Sequence, residues 1–535
     1  MRRVTRHARR RALKRSNPAK GGLQPHPRSS EKDFAEANKQ QKESLVSTNR
    51  RKFLLGSVAA AASAHTATAL STSAQGPAAS APGTRRPNII LYIADQFRWD
   101  FVGANQLNPT TDTPNLDAMS RRGTLFTHAV TNQPLCAPSR SILHTGRYAT
   151  ETGVWKNVTN LEPSLPTLAG ELHKAGYTTN LVGKWHLAPS KLGSGRGFVP
   201  PEFRGGFMDF WEGANELEYT TQPYEGTIYD GNGTAIHYKD EYRVDFLTDR
   251  AEKFLRQKHD RPFLLYISQL EPHFQNLAPA IENESKRFVA PHGVAQHFQD
   301  PFVPADLKAL PGNWQSQLPD YYGCCQAIDK SVGRIRQILR EENLADNTVM
   351  LFVSDHGCHF MTRNEEYKRS PHNSSIRIPL IAEGPGFNTS TRVDEIIGNI
   401  NITPTLLQAA GLPAPTSMKG RSFLPLLRNP EARAAWPNAE LIQISEAMLG
   451  RAIRTKDWMY CVADPDADPL NQQASRNYRE YALYDQRGDP GELTNLAGRK
   501  EYRKQADQLG EHLRRMIVAS GEPEPKIVPA TLYPG

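Results

Sequence analysis

The sequence predicts an α/β fold in which a mostly parallel β-sheet is covered by helices on both faces. From Pro87 onward, short apolar runs alternate with amphipathic stretches of helical spacing, and this order is typical of parallel strands joined by crossover helices. Polar residues follow the apolar runs closely, and such sheets bind ligands at the carboxyl ends of their strands. We therefore expect a single active site at that edge of the sheet.

Four apolar runs, at residues 88–94, 179–182, 263–267 and 349–353, are predicted to be buried strands of this sheet. Helices are predicted at 113–122, 165–175, 244–258 and 321–343, where apolar residues recur at helical spacing. Segments 188–242 and 271–314 are rich in Gly, Pro, His and aromatic residues, and we expect them to be long substrate-facing loops.

The 535 residues are too many for one ordinary domain. We predict a basic disordered extension at 1–46, a signal peptide at 47–75, a linker at 76–86, a catalytic domain at 87–430 and a C-terminal subdomain at 431–535. The last part has a loop-like composition at its start and a predicted closing helix near 501–519. This pattern suits a smaller α+β unit.

The formal net charge of +9 is concentrated at the amino end. Residues 1–52 hold 16 Lys or Arg against 4 Asp or Glu, which leaves a net charge of −3 for the rest of the chain. A slightly acidic body without a recognisable nucleic-acid module argues against a nucleic-acid partner.

Arg50 and Arg51 precede a short apolar run of small residues at 56–64, which is typical of a twin-arginine export signal. The sequence therefore predicts export by the twin-arginine machinery to the periplasm or the extracellular space. The run is far shorter than the ~20 residues that span a bilayer, so no membrane span is expected.

Cysteine usage indicates one special position rather than a disulfide framework. The cysteines are Cys136, Cys324, Cys325, Cys358 and Cys461. They are few for an exported chain and show no paired ligand spacing, although one bridge among the last four is left open. Pro138 suits the first turn of a helix and Gly146 its end, so Cys136 is expected just before a helix amino terminus, where free N–H groups favour an anion.

The string CAPSR at 136–140, followed by LHTGR at 143–147, resembles the formylglycine signature of the sulfatase family. Further matching strings are PNIILYIADQ at 87–96, GKWH at 183–186, PH at 272–273, SDHG at 354–357, RIPLI at 377–381 and LYDQRGDPGELTNLA at 483–497. The resemblance implies an alkaline phosphatase-like fold and a sulfuric ester hydrolase that removes sulfate from a carbohydrate or from an aryl or alkyl ester. It also implies that a formylglycine-generating enzyme oxidises Cys136 to formylglycine, whose hydrated form supplies a hydroxyl nucleophile.

The family pattern implies one divalent metal, Ca²⁺ or else Mg²⁺. Its ligands would be Asp95, Gln96, modified Cys136, Asp355 and His356. Hard oxygen ligands suit such a cation. Gln96 stands where the family usually has a second carboxylate, as in the branch resembling choline sulfatases and phosphonate monoester hydrolases, and His356 stands where many relatives have Asn. Phosphonate monoester or phosphodiester hydrolysis on the same scaffold is therefore the alternative function.

The rest of the active site is assigned by the same resemblance. It consists of Arg140, Lys184, His186, His273 and Lys368. Sulfate esters carry charge on nonbridging oxygens and lose an alkoxide or phenoxide, so they need cations near sulfur and an acid at the leaving oxygen. In the family pattern His273 and Lys368 lie on the leaving-group side. His372 is a nearby alternative to Lys368 in this sequence. Lys184 bridges substrate and nucleophile, and His186 takes a proton from the geminal hydroxyl; this Lys-x-His pair favours sulfate over phosphodiester.

Overall fold

The computed structural model describes residues 85–190, 196–276 and 286–533. The predicted extension, the signal peptide and all but the last two residues of the predicted linker lie outside the described residues. The strands are, in chain order, β1 (Asn88–Ala94), β2 (Thr124–Val130), β3 (Thr178–Lys184), β4 (Trp211–Ala214), β5 (Thr221–Gln222), β6 (Glu225–Asp230), β7 (Ala235–Lys239), β8 (Phe263–Gln269), β9 (Gln275–Asn276), β10 (Lys286–Arg287), β11 (Thr348–Ser354), β12 (Leu380–Glu383), β13 (Thr391–Gly398), β14 (Ala439–Ile444), β15 (Leu449–Thr455), β16 (Trp458–Asp464), β17 (Asn477–Asp485) and β18 (Lys526–Val528).

Eleven of these strands form one large sheet in the order β13-β2-β12-β11-β1-β8-β3-β4-β6-β5, with β7 paired to β6. The four central strands β11, β1, β8 and β3 are parallel, and they are the four strands predicted from the sequence. Ala94 at the end of β1 lies opposite Ser354 of β11 and Gln269 of β8. The carboxyl ends of these strands are therefore aligned at one edge.

Helices cover both faces of the large sheet, as predicted. The α-helices are α1 (Pro114–Arg122), α2 (Cys136–Thr145), α3 (Ala149–Thr152), α4 (Leu168–Lys174), α5 (Leu217–Thr220), α6 (Arg243–Leu255), α7 (Ala305–Lys308), α8 (Trp314–Glu341), α9 (Asn373–Ile376), α10 (Ile402–Ala409), α11 (Pro430–Ala434) and α12 (Arg503–Ala519). Alternate residues of β1 point to opposite faces. Ile90 and Tyr92 join a core shared with α6 and α8, and Ile89 and Leu91 join one shared with α4 and α10.

The prediction of a long loop at 188–242 is wrong. This segment contains β4, β5, β6 and β7, which extend the sheet beyond β3. Several side chains of β6 and β7 are exposed or half-buried, so their composition lacks the continuous apolar run of a central strand. In segment 271–314, by contrast, the described residues contain only the β9–β10 ribbon, a 3-10 turn, the four-residue helix α7 and the first residue of α8.

A smaller sheet of five strands, in the order β14-β15-β16-β17-β18, lies in the C-terminal part of the chain. Helix α12 packs on it through Leu509, Leu513 and Ile517, which share a core with Leu441 and Ile453. The chain therefore has the predicted fold class, a mostly parallel α/β sheet followed by a smaller α+β part.

All five cysteines are free and buried, so the disulfide left open by the sequence is not formed. Among the described residues, no helix combines the length and the apolar character that crossing a membrane requires.

Candidate active site

Two carboxylates lie side by side at the carboxyl edge of the large sheet. Asp95 directly follows β1 and Asp355 directly follows β11, and the parallel register of these strands makes them neighbours. Both side chains are fully buried, and Nη2 of Arg140 lies 3.2 Å from Oδ2 of Asp95 and 3.1 Å from Oδ2 of Asp355. Two buried negative charges need such a partner, because desolvation penalises an unpaired carboxylate heavily.

Arg140 lies on α2 and directs its other donors to the protein as well. Nε donates to Asp355 at 3.2 Å, and Nη1 donates to Ser268 Oγ at 2.7 Å and to Tyr266 Oη at 3.2 Å. Its guanidinium is therefore engaged in fixing the two carboxylates to the end of β8. Because these donors are used by protein groups, Arg140 mainly balances the charge of the two carboxylates and does not reach out to contact a substrate.

Cys136 is the first residue of α2 and is fully buried. Its sulfur lies 3.2 Å from Nε2 of His356, 3.7 Å from Oδ1 of Asp95 and 2.9 Å from Nζ of Lys368. The amide of Ala137 donates to Oδ1 of Asn157 at 3.1 Å, which fixes the start of the helix. The nucleophile predicted from the sequence therefore lies between the carboxylates and a ring of cations.

Asp95, Cys136, Asp355 and His356 form a buried cluster whose potential ligand atoms all lie within 4.8 Å of one another. Nδ1 of His356 donates to the carbonyl of Gly357 at 3.0 Å. This bond fixes the tautomer in which Nε2 is unprotonated, as a metal ligand must be. In the structure this Nε2 contacts Cys136 Sγ and Lys368 Nζ, each at 3.2 Å.

The side chain of Gln96 completes this donor set. Its Nε2 donates to Cys358 Sγ at 3.2 Å, while its buried Oε1 accepts no hydrogen bond from any residue that the structure describes. A buried oxygen without a donor is costly unless a cation or another ligand satisfies it. The donor set of carboxylates, an amide and a neutral imidazole therefore fits a divalent metal.

Two lysines and a histidine complete the cluster. Nζ of Lys184, the last residue of β3, donates to Oδ2 of Asp95 at 2.8 Å. Nζ of Lys368 lies 3.0 Å from Nε2 of His273 and 2.9 Å from the Cys136 sulfur. Nδ1 of His273 donates to the carbonyl of Phe274 at 2.7 Å, so its Nε2 accepts from the lysine.

The structure thus brings Lys368 into the predicted cluster. His372, named from the sequence as its substitute, instead lies 3.3 Å from Ser370 Oγ through Nδ1 and 3.4 Å from Tyr484 Oη through Nε2.

Comparison with known proteins identifies the family of the chain. Residues 87–412 match the family model described as Sulfatase. The chain belongs to the sulfatase family. It is a sulfuric ester hydrolase with an alkaline phosphatase-like fold. Residues 366–519 of this sulfatase also match the model described as N-sulphoglucosamine sulphohydrolase, C-terminal.

Full-length relatives support the same family. The ulvan-active sulfatase of Formosa agariphila is 28% identical over 462 residues, covering 82% of each chain. Arylsulfatase K of Rattus norvegicus is 28% identical over 465 residues, covering 81% of this chain and 78% of the relative. A solved structure described as a complex with its substrate D-glucosamine-2-N,6-O-disulfate has a TM-score of 0.65 and 23% identity, covering 82% of this chain and 99% of that one.

The charges of the sulfatase site also act on the thiol of residue 136. Burial by itself would raise the pKa of the Cys136 thiol, but the positive charges of the site, led by Lys184 and Lys368, outweigh burial. Together with a hydrogen bond to His186 they hold this pKa well below its ordinary value. The same surroundings would stabilise negative charge on an oxygen or a sulfuryl group at this position.

Sequence reasoning missed one buried carboxylate of the sulfatase site. The carboxylate of Glu218 on α5 lies 3.0 Å from Nζ of Lys184, which also pairs with Asp95. Burial would raise the pKa of Glu218, but positive charge nearby, above all the Lys184 ammonium, lowers it to about 2. Glu218 lies in the segment interpreted as a loop, and no motif marks it. Only the pairing of β4 with β3, which sets Ala214 beside Lys184, brings it to the site.

Proposed function

We propose that this sulfatase is exported and removes sulfate from a sulfated carbohydrate, through a formylglycine made from Cys136 and a divalent metal, with Ca²⁺ as the expected ion. The observation that carries the proposal is the buried cluster in which Cys136 lies among Asp95, Asp355 and His356 while Lys368 contacts its sulfur. Once modified, residue 136 would be a nucleophile at a position where these groups surround an anionic ester.

Asp95, Gln96, Asp355, His356 and modified residue 136 would hold the metal. When bound, the metal supplies Lewis acidity toward the sulfuryl oxygens. Lys184 and Lys368 add positive charge on two sides of residue 136, where charge develops during transfer. Arg140 balances the charges of Asp95 and Asp355 and holds both carboxylates in place.

His273 and Lys368 are assigned to the leaving group. The Lys368 ammonium donates to Nε2 of His273, so a proton is held between these two side chains next to residue 136. The departing alkoxide needs such a proton. His186 interacts with residue 136, and we assign to it removal of a proton from the hydroxyl of that residue after the alcohol has left.

The relatives support a sugar sulfate as the substrate class. The Formosa agariphila protein is named for activity on ulvan, and the structure similar in fold is described with a disulfated glucosamine. Sulfate esters in general include aryl and alkyl sulfates, and among them we propose a carbohydrate sulfate as the substrate. The paired Arg50 and Arg51 of the leader support export by the twin-arginine machinery.

The test combines mass analysis of the exported protein with a substrate panel. We expect peptide mass analysis to find an aldehyde at residue 136, and sulfated sugars and aryl sulfates to be hydrolysed far faster than phosphonate monoesters or phosphodiesters. Cys136→Ala should be inactive. Cys461→Ala, which removes an equally buried thiol from the small sheet, is the matched control and should keep the parent activity per folded molecule.

Two results would overturn parts of the proposal. A fully active preparation with an unmodified thiol at residue 136 would refute the formylglycine. A clear preference for phosphonate monoesters or phosphodiesters would establish the alternative function, for which Gln96 is the sequence argument.

A further inference from the structure

Two histidines of the site, His273 and His356, turn Nε2 toward Lys368, and the same kind of backbone hydrogen bond fixes the tautomer of both. In His273 and in His356, Nδ1 donates to the carbonyl oxygen of the next residue, at 2.7 Å and 3.0 Å. A carbonyl oxygen only accepts, so in both rings the proton is on Nδ1 and Nε2 is left as an acceptor.

His186 lacks this backbone acceptor. Its ring is nearly fully buried, and its Nδ1 forms no hydrogen bond with any residue in the described part of the chain. Residue 136 interacts with the same ring. The carboxylate closest to Nδ1 is that of Glu218, whose Oε1 lies 4.0 Å away.

The turn that carries Glu218 also fixes the backbone of His186. The amide of His186 donates to the carbonyl of Asn215 at 2.7 Å, and the Asn215 side chain exchanges two hydrogen bonds with the backbone of Ala188. His186 has a φ of 63°, a left-handed conformation that is uncommon for this residue type and needs such support. One short segment, 215–218, therefore holds both the backbone and the ring environment of His186.

We propose that Glu218 is a positioning residue that keeps His186 protonated on Nδ1, so that Nε2 is free to accept a proton from residue 136. The ring needs a shift of about 1 Å to close the gap from 4.0 Å to an ordinary hydrogen bond. Glu218 also binds Lys184, so one carboxylate would interact with both Lys184 and His186 of the Lys-x-His pair. This inference rests on the proposed role of His186 and assigns the group that makes that role possible.

Glu218→Gln is the decisive variant because it keeps the size of the side chain. Its amide oxygen can still accept from Lys184, whereas its NH₂ group would face Nδ1 as a donor and would favour the opposite tautomer. We expect steady-state turnover to fall roughly a hundredfold, since general-base catalysis typically contributes about that much or more, while the first equivalent of alcohol is still released. Glu218→Asp should recover part of the loss because it retains the charge.

Glu216→Gln is the matched control. Glu216 lies in the same turn and is also buried, but it pairs with Ser190 and Arg196 instead of the site. Its variant should turn over at the parent rate. In addition, His186→Ala and the double variant His186→Ala/Glu218→Gln should have the same steady-state rate, because Glu218 acts through the histidine.

A second readout does not depend on activity. ¹⁵N NMR of histidine-labelled protein distinguishes the two tautomers, and the His186 signals among the 16 histidines are assigned by their loss in His186→Gln. We expect protonated Nδ1 and unprotonated Nε2 in the parent, with a change of tautomer in Glu218→Gln. Protonated Nε2 in the parent, an unchanged tautomer in the variant, or parent-like turnover of Glu218→Gln would overturn the inference. If the parent shows the expected tautomer but His186→Ala does not release the first equivalent of alcohol, the result would instead contradict the proposed function.

Discussion

Lys184→Met should show how much the positive charge of this lysine contributes to catalysis, because the substitution removes the charge and keeps the size of the side chain. The variant keeps an unbranched side chain of similar length in a fully buried position, and it removes the ammonium that pairs with Asp95 at 2.8 Å and Glu218 at 3.0 Å. Loss of one preorganised donor to developing charge typically costs roughly a hundredfold to a thousandfold in rate, or about 2.7–4 kcal/mol. We therefore expect kcat on an aryl sulfate to fall by roughly that factor.

The same substitution should also lower the free energy of unfolding. Asp95 keeps Arg140 as a partner at 3.2 Å, but Glu218 loses the lysine that pairs with it. Removing one partner of a buried ion pair costs about 3–5 kcal/mol. Urea unfolding should therefore give a clearly lower free energy of unfolding for a variant that is still folded.

Kinetics and unfolding should be measured on the same preparation, with Lys174→Met as the control. Lys174 is largely exposed and forms a surface pair with Glu171, and surface pairs contribute little. The control should match the parent in both assays. A Lys184→Met variant within threefold of the parent kcat would refute the assignment of Lys184 to the developing charge.

The remaining predictions concern the metal, the second step and export. A chelator should abolish activity, and Ca²⁺ should restore it in the parent but not in Asp95→Ala or Asp355→Ala. Metal content should be measured directly, and turnover by metal-free protein would refute the metal site. His186→Ala should release one equivalent of alcohol and then stall with sulfate retained on the protein, and steady turnover at the parent rate would remove His186 from this role. Replacing both Arg50 and Arg51 by Lys should block export, and normal secretion of that variant would point to a basic tail instead of a signal.

The sequence was sufficient for the centre of the fold and for the residues that follow its strands. Buried parallel strands have continuous apolar runs, so β1, β8 and β11 were located to within two residues of their ends. Because parallel strands end at the same edge, Asp95, Lys184 and Asp355 could be expected to converge. These side chains are now linked by contacts of 2.8 Å to 3.2 Å through Asp95 and Arg140.

The sheet extension and its contribution to the site could not be predicted in the same way. The strands β4, β6 and β7 contain Gly, Thr, Tyr and charged residues, a composition shared with loops. The position of Glu218 depends on how β4 pairs with β3, which is a long-range choice that local pattern does not encode. The same holds for Ser268 and Tyr266, whose hydroxyl groups are recognised as partners of Arg140 only once α2 is packed over β8.

The smaller sheet contributes directly to the geometry of residue 136. In the turn between β14 and β15, Ser445 Oγ accepts from the side chain of Gln133 at 2.7 Å. The Glu446 carboxylate accepts from the amide of Asn157 at 2.8 Å and from Nε of Arg369 at 2.9 Å. Asn157 in turn holds the first turn of α2, and Arg369 directly follows Lys368. One turn of the C-terminal part therefore holds the segment before the nucleophile, the residue that caps its helix and the loop that carries its closest cation. The active site thus depends on the smaller sheet as well as on the large one.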